Sequence, residues 1–246
     1  MEDYEINIRN KHIWNFNSDE WNNYMGEDGN SWHKILIAPE TERLLDLKKG
    51  NKLLDIGCGN GIFARKMAKK GINVTAFDFS NKNINNALKY NTNNIEYLIL
   101  DATLNNDLEK LNSKTYDGIA ANMVFMDIPK IDCLFSKIYK LLAKNGNFVF
   151  SIQHPCFNSE YVNIKNDNSL HITNYIDTNT SKGNAIPTQK VEQYYFHRSI
   201  SYYVNLGISN NLVINGFIEP VFKSNGKKEI YSKFPPVLII SMKRNI

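Results

Sequence analysis

The run Asp55-Ile56-Gly57-Cys58-Gly59-Asn60-Gly61 constrains this chain more than any other stretch. It closes an apolar segment over 52–56 and opens an amphipathic one over 61–70, so a strand passes through a glycine turn into a helix. A Cβ on such glycines would collide with a ligand or forbid positive φ, so the ligand lies against bare main chain. Two cofactor classes use loops of this kind, and spacing separates them. The dinucleotide fingerprint is Gly-x-Gly-x-x-Gly, which presents a helix N-terminus to a pyrophosphate. Here the third glycine comes one residue early, and Ile62 stands where that fingerprint wants glycine. An adjacent carboxylate repels a pyrophosphate, whereas Asp55 attracts an ammonium group. The loop therefore favours a nucleoside carrying an amino acid and disfavours an NAD-dependent oxidoreductase.

From residue 52 the chain alternates short β-rich runs with amphipathic segments, the pattern of successive βαβ units. Strands are predicted over 52–56, 73–77, 95–100, 116–121 and 147–152. Between them the spacing predicts helices over 61–70, ended by Gly71, over 80–90 with Ser80 as N-cap, and over 131–143, stopped by Asn145-Gly146. This alternation sets the class as α/β with a mostly parallel sheet. The stretch 154–198 breaks the rhythm and reads as an inserted lid or substrate-side segment. A helix over 199–206 follows, then two closing strands over 213–222 and 236–242 joined by a Ser224-Asn225-Gly226 turn.

At 246 residues with 42% hydrophobic content, one domain over 1–246 is expected. It divides into an N-terminal flap over 1–50, a cofactor core over 51–152, the insertion over 153–198 and a closing unit over 199–246. Twenty-nine Lys and Arg against 25 Asp and Glu leave +4, scattered without the basic footprint a nucleic-acid partner needs. Cys58, Cys133 and Cys156 have no paired spacing, so no disulfide framework or metal site is indicated and a reducing cytoplasm fits. No basic leader or membrane-length apolar run is seen. The abundant asparagine reads as compositional bias.

Two further acidic residues fall in register with the glycine loop. Asp78, 21 residues after Gly57, ends the second strand where a carboxylate can accept bonds from both ribose hydroxyls. Asp101-Ala102 follow the third strand, placed for an adenine amine, with Phe79 available to sandwich the ring. Leu53 to Gly61, Asp78, Asp101-Ala102 and Asn122-Met123-Val124 together resemble, in order, the cofactor motifs of class I S-adenosylmethionine (SAM) dependent methyltransferases, over roughly residues 35–152. The resemblance implies a Rossmann-like, doubly wound seven-stranded sheet of order 3-2-1-4-5-7-6 with strand 7 antiparallel. It also implies SAM, released as S-adenosyl-L-homocysteine, held by Asp55, Gly57, Cys58, Gly59, Asn60, Gly61, Asp78, Phe79, Asp101, Ala102, Asn122 and Met123. The His-Pro after the fifth strand and the segment His197-Arg198-Ser199-Ile200-Ser201-Tyr202-Tyr203-Val204-Asn205 look like the small-molecule branch of that family.

Methyl transfer from a sulfonium needs alignment and exclusion of water more than catalytic groups, although a hydroxyl or ammonium acceptor also needs a base. His154 follows the fifth strand at the carboxyl edge where ligands of open α/β sheets bind, and it either lines the site or merely turns the chain with Pro155. His197 and Asp127 are second candidates, Asp127 equally suiting an N-cap for the helix after Pro129. Trp14, Phe16, Trp21, Tyr24 and Trp32 form either an aromatic flap over the cofactor, with Tyr24 and Trp32 foremost, or the glue of an N-terminal helix. The acceptor is expected to be a small molecule taken at O, N or C by a monomer or homodimer. A nucleic-acid methyltransferase is the alternative. So is a SAM-binding partner subunit without catalysis.

Overall fold

The computed structural model describes residues 3–90, 92–223 and 229–245. The chain opens with helix α1 (Asp3–Met25), a turn through Gly26 at φ 64°, and a wide π turn over His33–Ile37 that runs into α2 (Ala38–Leu45). Alternation follows as β1 (Lys52–Ile56), α3 (Ile62–Ala68), β2 (Asn73–Asp78), α4 (Asn81–Leu88), β3 (Ile95–Ile99), α5 (Asn105–Glu109) and β4 (Tyr116–Asn122). Helix α6 (Asp132–Leu141) then leads into β5 (Leu142–Gln153). The insertion holds β6 (Val162–Ile164), β7 (Leu170–Ile172), β8 (Thr180–Gly183) and β9 (Gln193–Phe196). The chain closes with α7 (Ile200–Ser209), β10 (Leu212–Ile218), α8 (Ile230–Lys233) and β11 (Val237–Arg244). No helix among the described residues is long and apolar enough to cross a membrane.

Seven of these strands form one sheet in the order β3-β2-β1-β4-β5-β11-β10, parallel except for β11, which runs antiparallel to both β5 and β10. This is the expected 3-2-1-4-5-7-6 order, its last two strands being β10 and β11. The strands read as near-continuous apolar runs because helices cover both faces. One face packs Phe125, Phe135, Phe148 and Phe150 under α6 and α7, with Phe148 stacked on Phe150 at 5.3 Å. The other packs Leu53, Val74 and Ile239 under α2 and α3.

Local chemistry explains the boundaries. Ser80 Oγ accepts from Asn83 N at 3.1 Å and starts α4, and Ser199 accepts from Tyr202 N and starts α7. Helix α6 stops two residues before the predicted end. Asn145-Gly146 sit in an irregularity of β5 instead of ending a helix, since the β4 register jumps from Tyr116↔Leu142 to Gly118↔Asn147. Strand β10 ends at Ile218, ahead of Pro220, which has no N–H for a ladder. The Ser224-Asn225-Gly226 turn lies outside the described residues. The insertion carries two antiparallel ribbons, β6 with β7 and β8 with β9.

The largest departure concerns asparagine. The inner face of α1 buries Asn7, Asn10, Trp14, Asn17, Ser18 and Met25 at helical spacing, so amides stand where apolar residues are the rule. Asn10 Nδ2 donates to Asp127 O at 2.9 Å, Asn17 Nδ2 to Val191 O at 2.7 Å, and Ser18 Oγ to Asn83 Oδ1 at 2.7 Å. These residues fasten α1 to β9, α4 and the β4 turn, and compositional bias does not describe them.

Candidate active site

A cavity of about 460 Å3 opens at the carboxyl ends of β1 to β5, beneath α1 and the insertion. The glycine turn forms its floor, with Gly57 at φ 63° and Gly59 at φ 55°, conformations that cost an L residue about 1–2 kcal/mol. At Gly57 an added Cβ would also strike the Val124 side chain. Gly61 caps α3 at φ 77° and does not itself line the cavity.

Two side-chain atoms at this floor are buried without a hydrogen-bond partner. One is Asp55 Oδ2 at the end of β1, and the other is Asn122 Nδ2 at the end of neighbouring β4. Asn122 Oδ1 accepts from Thr41 Oγ1 at 2.9 Å and from Ser151 Oγ at 3.2 Å. Burial, and then Asp78 nearby, push the Asp55 carboxyl up to about 8. An orphan acceptor beside an orphan donor matches the ammonium and carboxylate of an amino acid. Met123 follows Asn122 at φ 55°, held there by its N–H donating to Ser151 O at 2.8 Å.

Asp78 grips the turn from below. Its Oδ2 accepts from Gly59 N at 2.9 Å and its Oδ1 from Ser80 N at 2.8 Å, while burial raises its pKa against those bonds. Asp101 accepts from Thr103 N at 2.9 Å and Oγ1 at 2.7 Å, and from Asn7 Nδ2 at 2.8 Å. Cys58, Asn60, Phe79 and Ala102 also line the cavity. Asn60 is tied to α1 through Asn22 Oδ1 at 2.9 Å. Burial raises the Cys58 thiol well above its ordinary value, the opposite of what a nucleophile needs.

Trp14 and Trp21 meet edge to face at 5.3 Å in the wall. Tyr24 and Trp32 line it too, Trp32 edge-on to Tyr231 at 5.3 Å, whereas Phe16 points to solvent at 61% exposure. Of the candidate catalytic residues, Asp127 alone lines this cavity. It ends a 3-10 turn over Phe125–Asp127 and does not cap α6, which begins after Ile131 without a side-chain cap.

His154 stands outside the cavity. Its Nδ1 accepts from Cys156 N at 3.1 Å, so Nε2 carries the proton and donates to Glu219 Oε1 at 2.7 Å. Burial lowers its pKa, and the neutral ring stacks on Phe157 at 4.5 Å. His197 also lies outside, bonded through Nε2 to Tyr175 O at 2.9 Å and facing a smaller cavity of about 190 Å3. Sequence reasoning overlooked Asn7, Thr103 and Gln193, whereas Tyr195, an insertion aromatic suited either to walling a substrate pocket or to packing the insertion, lines the cavity. His33, which closes the aromatic stretch over 14–33, also lines the cavity, with a buried, unpartnered Nδ1. The π turn that starts at His33 has no periodicity signature, and Gln193 and Tyr195 lie in the insertion, where pattern reading had no register.

A doubly wound sheet of this order, with a glycine turn after β1 and an unpartnered acceptor and donor at its floor, defines the class I SAM-dependent methyltransferase fold. The profile of the family described as methyltransferase domain matches residues 31–191, and the chain belongs to that family. A ubiquinone biosynthesis O-methyltransferase of Rickettsia conorii is 30% identical over 48% of the chain. The chain spans about two fifths of the length of such curated relatives, 40% in that case. An uncharacterized protein of Haemophilus influenzae is 26% identical over 87% of the chain and 89% of its own length. The crystal structure of an S-adenosylmethionine dependent methyltransferase from Mesorhizobium loti superposes with a TM-score of 0.71 at 21% identity, covering 89% of this chain and 100% of that one. SAM is the cofactor of this class, and the residues of the cavity fit it.

Proposed function

We propose that this chain transfers the methyl group of SAM to a small-molecule acceptor at oxygen, nitrogen or carbon, leaving S-adenosyl-L-homocysteine. The observation that carries the reading is the orphan pair, Asp55 Oδ2 and Asn122 Nδ2, beside the glycine turn. Bound SAM supplies an electrophilic methyl carbon on a cationic sulfur. Asp55 takes the ammonium and Asn122 the carboxylate, with the main chain of Gly57, Cys58, Gly59 and Asn60 passing beneath. Gly61 turns the chain into α3. Asp78 accepts the ribose hydroxyls, Asp101 and Ala102 meet the adenine edge, and Phe79 covers the ring. Met123, Tyr24 and Trp32 wall the reacting centre, where aromatic faces favour a cation by about 0.5–2 kcal/mol.

Asp127 receives the proton an acceptor sheds, since it lines the cavity and burial holds its carboxyl well above the ordinary carboxylate range, which makes it the stronger proton acceptor. His154 and His197 act as positioning residues that fasten the insertion. A small acceptor is favoured by a cavity of about 460 Å3 that must hold cofactor and acceptor together, within the roughly 300–1,000 Å3 of single-ligand pockets. A reducing cytoplasm accords with the free thiols of Cys58, Cys133 and Cys156, and the chain acts there as a monomer or homodimer. Calorimetry tests the core of this reading. SAM and S-adenosyl-L-homocysteine both bind the wild type, and Asp78→Ala or Gly59→Val abolishes binding of both. A wild type that binds neither ligand overturns it.

A further inference from the structure

Four aspartates line the cavity, and its described lining residues include no lysine or arginine. The lone histidine there, His33, is held neutral, since burial and then Lys66 and Lys34 bring its pKa down to about 4. Three of the carboxylates, Asp55, Asp78 and Asp101, stand in sequence at the ends of β1, β2 and β3, where the cofactor uses them under the function proposed above. Asp127 is left over.

Its position is unusual for a carboxylate. The side chain is buried, and among the described residues its carboxylate has one hydrogen bond, from the neutral amide Gln193 Nε2 to Oδ1 at 3.3 Å. A buried carboxylate without a cation is costly and stays protonated until a counter-charge arrives. Burial, with Asp78 adding to it, holds this carboxyl well above the ordinary range despite the Gln193 bond. The remaining wall beside the cofactor positions is aromatic or uncharged, formed by Trp32, Tyr195, Tyr231, Gln153 and Asn158. Such a wall gives an anionic acceptor no partner and gives a cationic one both a carboxylate and π faces.

The adjoining smaller cavity does not reverse this balance. Arg198 faces it, but its guanidinium is committed to the carbonyls of Phe125, Ile128 and Pro129 at 2.8–2.9 Å. Lys182 Nζ lies over the Tyr194 ring at 4.8 Å, and a carboxylate, Glu160, lines the same cavity.

We infer that the methyl acceptor is a small amine without carboxylate or phosphate groups, docked through its nitrogen on Asp127. The amine arrives as an ammonium paired with the ionised carboxylate, and one N–H proton passes to an Asp127 oxygen. The freed lone pair forms the N–C bond to the methyl carbon while the C–S bond breaks, its electron pair staying on sulfur as a neutral thioether. The product leaves as the N-methylated ammonium, and Asp127 gives its proton back to solvent.

The inference rests on the proposed cofactor, and the test separates the two. Protein saturated with S-adenosyl-L-homocysteine is titrated with small aromatic and aliphatic primary amines, the matching phenols, and the matching amino acids carrying a free carboxylate. Methylated product with SAM is then followed by mass spectrometry. Amines bind and are methylated, and the carboxylated analogues are rejected. Asp127→Asn weakens amine binding by about tenfold or more, the value of a hydrogen bond to a charged group, and leaves S-adenosyl-L-homocysteine affinity unchanged, which also shows that the variant is folded. Preference for phenols or carboxylated acceptors, no binding of any amine, or amine affinity unaltered in Asp127→Asn each overturns it. The wild-type comparison stands whether or not the variant folds. Failure to bind S-adenosyl-L-homocysteine at all would instead remove the cofactor reading.

Discussion

Asn7 Nδ2 donates to Asp101 Oδ2 across 2.8 Å, joining the first helix to the end of β3 over 94 residues of sequence. The other Asp101 oxygen is already filled by Thr103. Removing the amide leaves a buried carboxylate oxygen without its donor, at a cost of about 1–3 kcal/mol. Asn7→Ala is expected to lower the denaturation midpoint and to weaken SAM binding at the adenine end. Unchanged stability and unchanged SAM affinity would show that α1 and the cofactor site are not coupled here.

Asp55 makes both stability and binding depend on pH. Its pKa rises from the ordinary 3.8 to about 8 in the folded chain. Between those values the unfolded chain has released a proton that the native chain keeps, so the stabilisation present in acid declines as pH rises through this window. Asp55→Asn should flatten that decline in chemical denaturation series. An incoming ammonium ionises the same carboxyl, so SAM binding near pH 7 should release a proton. Titrations in two buffers of different ionisation enthalpy read this directly, and equal heats in both would count against it.

His154 should matter to folding more than to chemistry. Truncation to alanine removes a buried ring and strips the Cys156 N–H and Glu219 of their partner, together about 2–5 kcal/mol. S-adenosyl-L-homocysteine affinity should stay within about threefold, because His154 does not line the cavity and its partners Cys156 and Glu219 lie outside it as well. Glu219→Gln keeps an oxygen to accept from Nε2 and should be almost neutral. A large loss in Glu219→Gln would mean that the imidazole is charged.

Gly57→Ala carries two penalties that can be separated. The left-handed φ costs about 1–2 kcal/mol, and the new Cβ meets Val124. Adding Val124→Ala should relieve the collision and leave the conformational part, so the double variant regains some but not all of the lost stability. Full recovery would assign the whole effect to the steric clash.

The sheet order and the glycine turn at the cavity floor were readable because each leaves a local mark. Glycines at fixed offsets, and acids closing successive strands, are set by strand and turn geometry within a few residues. Asp127 could be noticed as a residue, but its isolation from cations is a property of a whole cavity wall and has no local pattern. The two readings of His154 stayed open in the sequence because its partner Glu219 lies 65 residues away. The asparagines at 7, 10 and 17 repeat at helical spacing, yet a polar stripe normally signals a solvated face, and only the facing carbonyl of Val191 and carboxylate of Asp101 reveal otherwise.

That amide stripe has a consequence for how α1 responds to cold. Burial of apolar surface carries a large heat-capacity change and weakens on cooling, whereas polar surface changes heat capacity less per unit area and with opposite sign, offsetting the apolar part. A helix seated mainly through Asn7, Asn10, Asn17 and Ser18 therefore releases with a small calorimetric signature compared with the phenylalanine layer under α6. As temperature falls toward the cold limb of the stability curve, the sheet loses driving force faster than the helix that covers the cavity does.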